Sequence, residues 1–367
     1  MNNQSTIDCF FKTINNIGIG IDGNEIKMRK YFYIKWTNQF RPDFDGCWLI
    51  DRPEKINFIQ HVNCDYIKKG YYFYICGYFE NYESDEYNIV KEMKYKNVHL
   101  LKSHLQKNIR KMDVNRALST SLHLMKLDFN EFLRRMIIIH IEDTFIHESL
   151  TTLIWLMIAL STKKFKMKKY IYQWLLGFVY ISANTKKIDN YNKKLKNMVN
   201  NSYKNIYEEL NDYENLNNNG NNNGNRKLNE NQISMLISLH MRIAYGCMDV
   251  DKVMIKKCIQ IWKTRFINNN GVLMNNMLIK PINIYVCDLK LENWDYSAVD
   301  FHTNKNICEF ILKKYNYLDV SKIKKLIWNN SSGVNYRKEN VVFESETWDT
   351  IKEYVYKTQK YLLETNS

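Results

Sequence analysis

The chain has 367 residues, of which 45% are apolar, with only 12 glycines and 3 prolines. That excludes fibrous, collagenous and wholly disordered states and weighs against an all-β sandwich or propeller. Its 53 basic residues against 39 acidic ones leave a net charge of +14, spread over many short lysine clusters; such an excess suits contact with a polyanion, although an ordinary solvated face can carry it too.

In chain order, residues 1–30 lack a sustained period, and the polar stretch from Asn15 to Glu25 reads as a flexible tail. Residues 31–96 follow as a small α+β or β-rich module. Strands are predicted at Tyr31–Thr37, Cys47–Ile50 and Tyr71–Phe79, parted by turn chemistry at Arg41-Pro42-Asp43 and Asp45-Gly46.

From Val98 the period becomes helical: Val98, Leu101, Leu105 and Ile109 on one face, Lys102, Lys107, Arg110 and Lys111 on another. Asp113 is placed to cap a second helix, and Asp128 or Asn130 a third that carries Phe132, Leu133, Met136 and Ile137. Two more helices, near 148–161 and 168–182, are apolar almost all round and hence buried. Together the five predict a helical bundle over residues 97–185. Residues 186–231 are rich in Asn and Lys, end in Asn217 to Asn225, and are expected to be a disordered insert. Helices resume over 232–367: Gln232–Tyr245, Val250–Phe266, Asn304–Tyr315, Asp319–Asn330 with Gly333 as stop, and Glu346–Leu363. The predicted fold class is mainly α, with a small N-terminal α+β module and a helical-bundle body.

Eight cysteines form no C-x-x-C pair, and no signal-peptide apolar region opens the chain, so a reducing intracellular compartment is expected. The runs Leu153–Leu160 and Trp174–Ile181 fall well short of the roughly 20 residues that cross a bilayer. No membrane partner is expected.

The segment Gln4-Ser5-Thr6-Ile7-Asp8-Cys9-Phe10-Phe11 places glutamine, an aliphatic residue three positions on, and two adjacent aromatics three positions after that. It resembles the PIP box, the peptide by which replication and repair proteins hold the sliding clamp PCNA. One helical turn brings Ile7, Phe10 and Phe11 to one side as an apolar plug, while Gln4 offers amide hydrogen bonds at its edge. Three such side chains, each worth about 1.5 to 3 kcal/mol when buried, suffice for micromolar binding after the ordering cost. The same three side chains would otherwise dock on the protein's own body.

A second resemblance lies in Leu105 to Leu118 (LQKNIRKMDVNRAL) followed by Glu131 to Asp143 (EFLRRMIIIHIED). These phrases are similar to the C-terminal helical part of the RarA/MgsA genome-maintenance ATPases, relatives of clamp loaders. The resemblance implies a helical scaffold for oligomerisation and DNA-fork work, with Lys102, Lys107, Arg110, Lys111, Arg134 and Arg135 presenting positive charge to DNA or acidic partners. No G-x-x-x-x-G-K-[ST] phosphate loop occurs in the sequence, so ATP hydrolysis is not implied.

Other signals are weaker. Gly18 to Gly23 satisfies G-x-G-x-x-G, but no apolar strand precedes it, and a tether is the preferred reading. Lys69-Gly70-Tyr71-Tyr72-Phe73 is like the start of an RNA-recognition strand, against a plain packed strand. His140, Glu142, Asp143, His147 and His302 carry metal-ligand chemistry without a tight spacing, and helix-end capping accounts for them as well. Trp328 to Arg337 reads as a capped turn in preference to a phosphate-contacting loop.

The expected function is an accessory, non-catalytic factor of DNA replication or repair. It would be tethered to the clamp through Gln4, Ile7, Phe10 and Phe11, without a cofactor, at a nuclear, viral or cytoplasmic replication site. The rivals are a clamp-recruited metal-dependent nucleic-acid hydrolase and an RNA-binding module on the aromatic strands.

Overall fold

In a computed structural model of the chain, the described residues are 22–36, 46–62, 67, 69–80, 97–162, 164–189, 228–268, 279–283, 305–338 and 345–365. The clamp-like peptide at 4–11, His302 and most of the Asn/Lys-rich segment lie outside them. The chain divides into two units, each assembled from three stretches: 1–85, 146–167 and 190–276 in the first; 86–145, 168–189 and 277–367 in the second.

The first unit is built on a four-stranded sheet in the order β2-β1-β4-β3. Its strands are β1 (Met28–Trp36), β2 (Cys47–Leu49), β3 (Phe58–His61) and β4 (Tyr71–Phe79). The two long central strands run parallel, with Tyr31 beside Tyr74 and Phe32 beside Ile75, and short antiparallel strands close both edges. Both faces of the central pair are buried, which is why the strands read as near-continuous apolar runs rather than as alternation. One face gathers Tyr31, Tyr33, Tyr72, Tyr74, Cys47 and Cys76 into a phenol and thiol cluster. On the other face, Phe58, Phe79 and Phe165 surround Trp155, with ring centroids 5.3 to 5.8 Å apart.

Trp155 belongs to a helix that the sequence assigns to the bundle. In the structure that helix, Leu150–Ser161, packs on β1 and β4 in the first unit; Glu230–Ala244 of the expected C-terminal continuation packs on that helix and on β2, and Asp249–Ile267 packs on Glu230–Ala244. The Trp155 indole donates to the Phe32 carbonyl (3.0 Å). An apolar circumference shows that a helix is buried; it carries no information about the layer that buries it.

The second unit is helical. Numbering all helices in chain order, it contains α1 (Val98–Arg110), α2 (Val114–Leu127), α3 (Phe129–Asp143) and α5 (Lys169–Asn184), followed by α8 (Lys305–Lys314), α9 (Val320–Ile327) and α10 (Ser345–Thr365); the three helices beside the sheet are α4, α6 and α7. The predicted caps are present: the Asp113 carboxylate accepts from the Arg116 amide, and that of Asp128 from the Glu131 amide. The joint between α1 and α2 turns through Met112, whose φ of 60° is left-handed. Asp113 N then bonds back to Asn108 O at 2.9 Å, closing α1 in a Schellman-like turn. Midway along α5, Gly177 lets the segment 279–283 cross: a Cβ there would run into the Lys280 carbonyl, and Ile282 N donates to Gln173 O.

The last three helices carry a core of their own. Cys308, Ile311, Leu318, Ile323, Leu326, Ile327, Trp348, Ile351 and Val355 pack together. The predicted helix at 319–330 ends one turn early: α9 gives way to a π turn at Trp328–Ser332, and Gly333 N bonds to Trp328 O at 2.7 Å. Single π turns commonly mark functional sites.

Candidate nucleic-acid interface

The six basic residues predicted to face DNA do not form an exposed face. Lys107 is 4% and Arg110 5% exposed, and Lys102, Lys111, Arg134 and Arg135 are half-buried. Arg110 lies between the two carboxylates that end α3, its Nε donating to Asp143 (2.6 Å) and its Nη2 to Glu142 (2.9 Å). The Gln106 amide donates to both carboxylates, at 2.7 and 2.8 Å, and accepts from Arg135. Lys102 holds Glu131 at 2.5 Å, with Arg134 on the same carboxylate at 3.9 Å. These charges tie α1 to α3; a polyanion meets little of them. The polar face that α1 shows on a helical wheel is covered because α2, α3 and α5 all pack on that one helix.

Burial, with the nearby Arg110 charge, pulls the Lys107 ammonium down to about 7, a drop that Asp143 and Glu142 only partly offset. Removing one partner from such a buried set costs far more than the set contributes when intact.

Arg337 completes the same cluster. Its Nε donates to Thr185 O (2.8 Å), one Nη to Ile109 O (2.6 Å), and the other to Ser182 O and Ala183 O. One guanidinium therefore satisfies carbonyls at the ends of both α1 and α5, where the helix dipoles favour a cation. The flanking residues lock the loop: Asn335 donates to Asp143 O, and the Tyr336 amide to Arg110 O. Of the two sequence readings of this stretch, the turn stands, and Arg337 is interior.

The metal-site residues have other duties. His140 is buried against Phe178, with Nδ1 3.1 Å from Phe145 O and Nε2 2.7 Å from Ser182 Oγ. His147 Nδ1 accepts from Ser149 N. Among the described residues no group of three or more His, Cys, Asp or Glu is placed to hold a metal ion. The aromatic strand also departs from the RNA reading, since Tyr72, Phe73 and Tyr74 are buried and offer no ring to a base.

One group of exposed charge lies on the hairpin of α8 and α9. Lys313, Lys314, Lys322, Lys324 and Lys325 are all exposed, and only Glu309 and Asp319 oppose them on the described part of the hairpin. Asp319 is itself committed as the cap of α9, accepting from Lys322 N and Ser321 Oγ, and these bonds hold its carboxyl below the usual range. The periodicity of the segment marks the surface: Ile323, Leu326 and Ile327 go inward, leaving Lys322, Lys324, Lys325 and Trp328 outward.

Large aromatics are also exposed in this part of the chain. Tyr317 is 68% exposed in the turn before α9, Trp328 45% at its end, and Tyr336 58% in the locked loop. The Trp328 indole is fixed by Gly333, at which any Cβ would lie 2.6 Å from the ring nitrogen. Sequence reasoning passed over this surface because α9 looked like one more amphipathic helix. Its signal was Lys322, Lys324 and Lys325 followed one turn on by a tryptophan.

Comparisons with family models, with curated proteins and with solved structures found no match. Among the described residues no helix is long and apolar enough to cross a membrane.

Proposed function

We propose that the protein is an accessory factor in DNA replication or repair, tethered to a PCNA-type sliding clamp by Gln4, Ile7, Phe10 and Phe11, with a helical body that meets DNA. The observation that carries this reading is the spacing of that peptide, which sets three large apolar side chains on one helical turn beside a glutamine. The lysine surface of α8 and α9 supports it by supplying the charge that a clamp-held protein needs toward the encircled nucleic acid. That role falls to Lys322, Lys324 and Lys325 in place of Lys107 and Arg110, which the fold spends internally. The RarA/MgsA-like phrases at 105–118 and 131–143 agree with a scaffold role.

The test is calorimetric titration of a peptide of residues 1–14 into PCNA, repeated with Phe10→Ala and Phe11→Ala. Micromolar binding that either substitution weakens at least tenfold is the expected result. Absence of binding by the unsubstituted peptide overturns the tether.

A further inference from the structure

We infer that the α8–α9 hairpin is a binding surface for single-stranded DNA, on which bases stack against Trp328 and Tyr336 while Lys322, Lys324 and Lys325 hold the phosphates. The choice of DNA over RNA rests on the clamp reading above; the stacking surface itself does not.

Three observations converge. The first is charge. Five exposed lysines, of which Lys314 lies over the rings of Tyr315 and Tyr354, face two opposing carboxylates on the described part of the hairpin, and one of those carboxylates is engaged in capping. By contrast, α10 pairs Lys352 with Asp349 and Lys360 with Glu364. Within the last three helices, the basic excess therefore lies on α8 and α9. It is complementary to a strand of phosphates, whose counterions the lysines would release.

The second is the aromatic component. A duplex keeps its base faces stacked inside and offers grooves and phosphates, for which exposed rings have little use; an unpaired strand offers a π face at every nucleotide. Trp328 follows Lys324 and Lys325 by one helical turn, so ring and charge are neighbours on one helix surface. Tyr336 lies three residues beyond Gly333, whose amide is bonded to the Trp328 carbonyl. That keeps its backbone within about 11 Å of the turn.

The third is rigidity. Gly333 permits the close approach that fixes the Trp328 indole, and the bonds from Asn335 and Arg337 into α1, α3 and α5 hold the Tyr336 backbone. A platform already in place does not pay to order its rings when a strand arrives. It also gives the π turn a purpose: an α-helical continuation would send the chain after Trp328, and with it Tyr336, on another course.

Fluorescence anisotropy of labelled dT20 with the full-length chain tests the inference, with rU20 and a 20-base-pair duplex as competitors over a salt series. The expected result is binding to dT20 that falls steeply with salt, quenching of tryptophan emission, and preference over both competitors. Trp328→Ala should weaken binding about tenfold, within the range seen for lost base stacking, and abolish most of the quench, while Trp328→Phe retains binding. Replacing both Lys322 and Lys325 with Gln should lower the salt slope by about 1 to 2. All of these positions are exposed, and circular dichroism verifies that each variant is folded. No binding, equal or tighter binding of the duplex, preference for rU20, or an unchanged affinity on Trp328→Ala overturns the inference. The paired change Phe10→Ala and Phe11→Ala separates the two proposals, because it should abolish clamp binding and leave dT20 affinity intact.

Discussion

At the residue scale, the second unit is governed by side chains whose charge is turned inward. Lys107, held at about 7 in the fold against 10.5 for a free lysine, is largely neutral in the folded protein above pH 7, while the unfolded chain keeps its proton. The unfolded state therefore binds more protons between about pH 7 and 10, and stability rises with pH through that window, at up to about 1.4 kcal/mol per unit. Urea unfolding at pH 7.0, 7.75 and 8.5 should show the rise, and Lys107→Met should flatten it. Above about pH 9 the rise is opposed and levels off towards pH 10, since burial raises the Cys47 thiol to about 11 and only the unfolded chain gives up that proton. Arg337→Met removes the charged donor from helix-end carbonyls of α1 and α5. With hydrogen bonds to a charged group worth about 1.5 to 3 kcal/mol each, a loss of at least 3 kcal/mol in unfolding free energy is expected, and Arg337→Lys should recover less than half. None of this was readable from spacing. Arg110 and Asp143 are far apart in the chain, and Arg337 lies farther still from Ile109, so each looked like a solvated charge until the tertiary fold brought them together.

At the element scale, the helices were legible because their apolar positions recur at the helical period and their caps, Asp113, Asp128 and Asp319, announce where they begin. The long central strands were legible from their aromatic runs. β3, the four residues Phe58–His61, was missed, because so short an edge strand carries no period of its own. Partnership was the larger gap: the sequence marks α4 as buried, yet the parallel pairing of β1 with β4 and the seating of α4 on them are non-local facts. Two substitutions follow from these elements. Met112→Gly relieves a left-handed residue at the α1–α2 joint and should stabilise the protein by about 0.5 to 1 kcal/mol, read as a higher urea midpoint with an unchanged slope. Trp155→Phe removes the indole donor from the Phe32 carbonyl inside the sheet unit. Leaving that acceptor buried and shrinking the ring should cost about 2 kcal/mol, visible as a lower midpoint.

At the scale of the whole molecule, the chain changes unit five times, near residues 85, 145, 167, 189 and 276. Neither unit can be excised by a single cut. A fragment ending at residue 189 would hold the sheet and α4 but lack the α6 that packs on α4 and β2; it would also hold the Arg110 cluster without Arg337. Such a fragment should expose apolar surface, bind a hydrophobic dye and fail to give a cooperative melt, whereas co-expressing residues 190–367 should restore one. Periodicity and composition divided the chain into consecutive segments and gave no sign of interleaving, because periodicity is a local property and a boundary in space need not be one in sequence. The weave also bears on synthesis at the ribosome: the earliest strands must wait for residues near 240, and α1 for residue 337, before either finds its last neighbour. A chain threaded in this manner leaves faces of both units uncovered until segments well over a hundred residues downstream have been made.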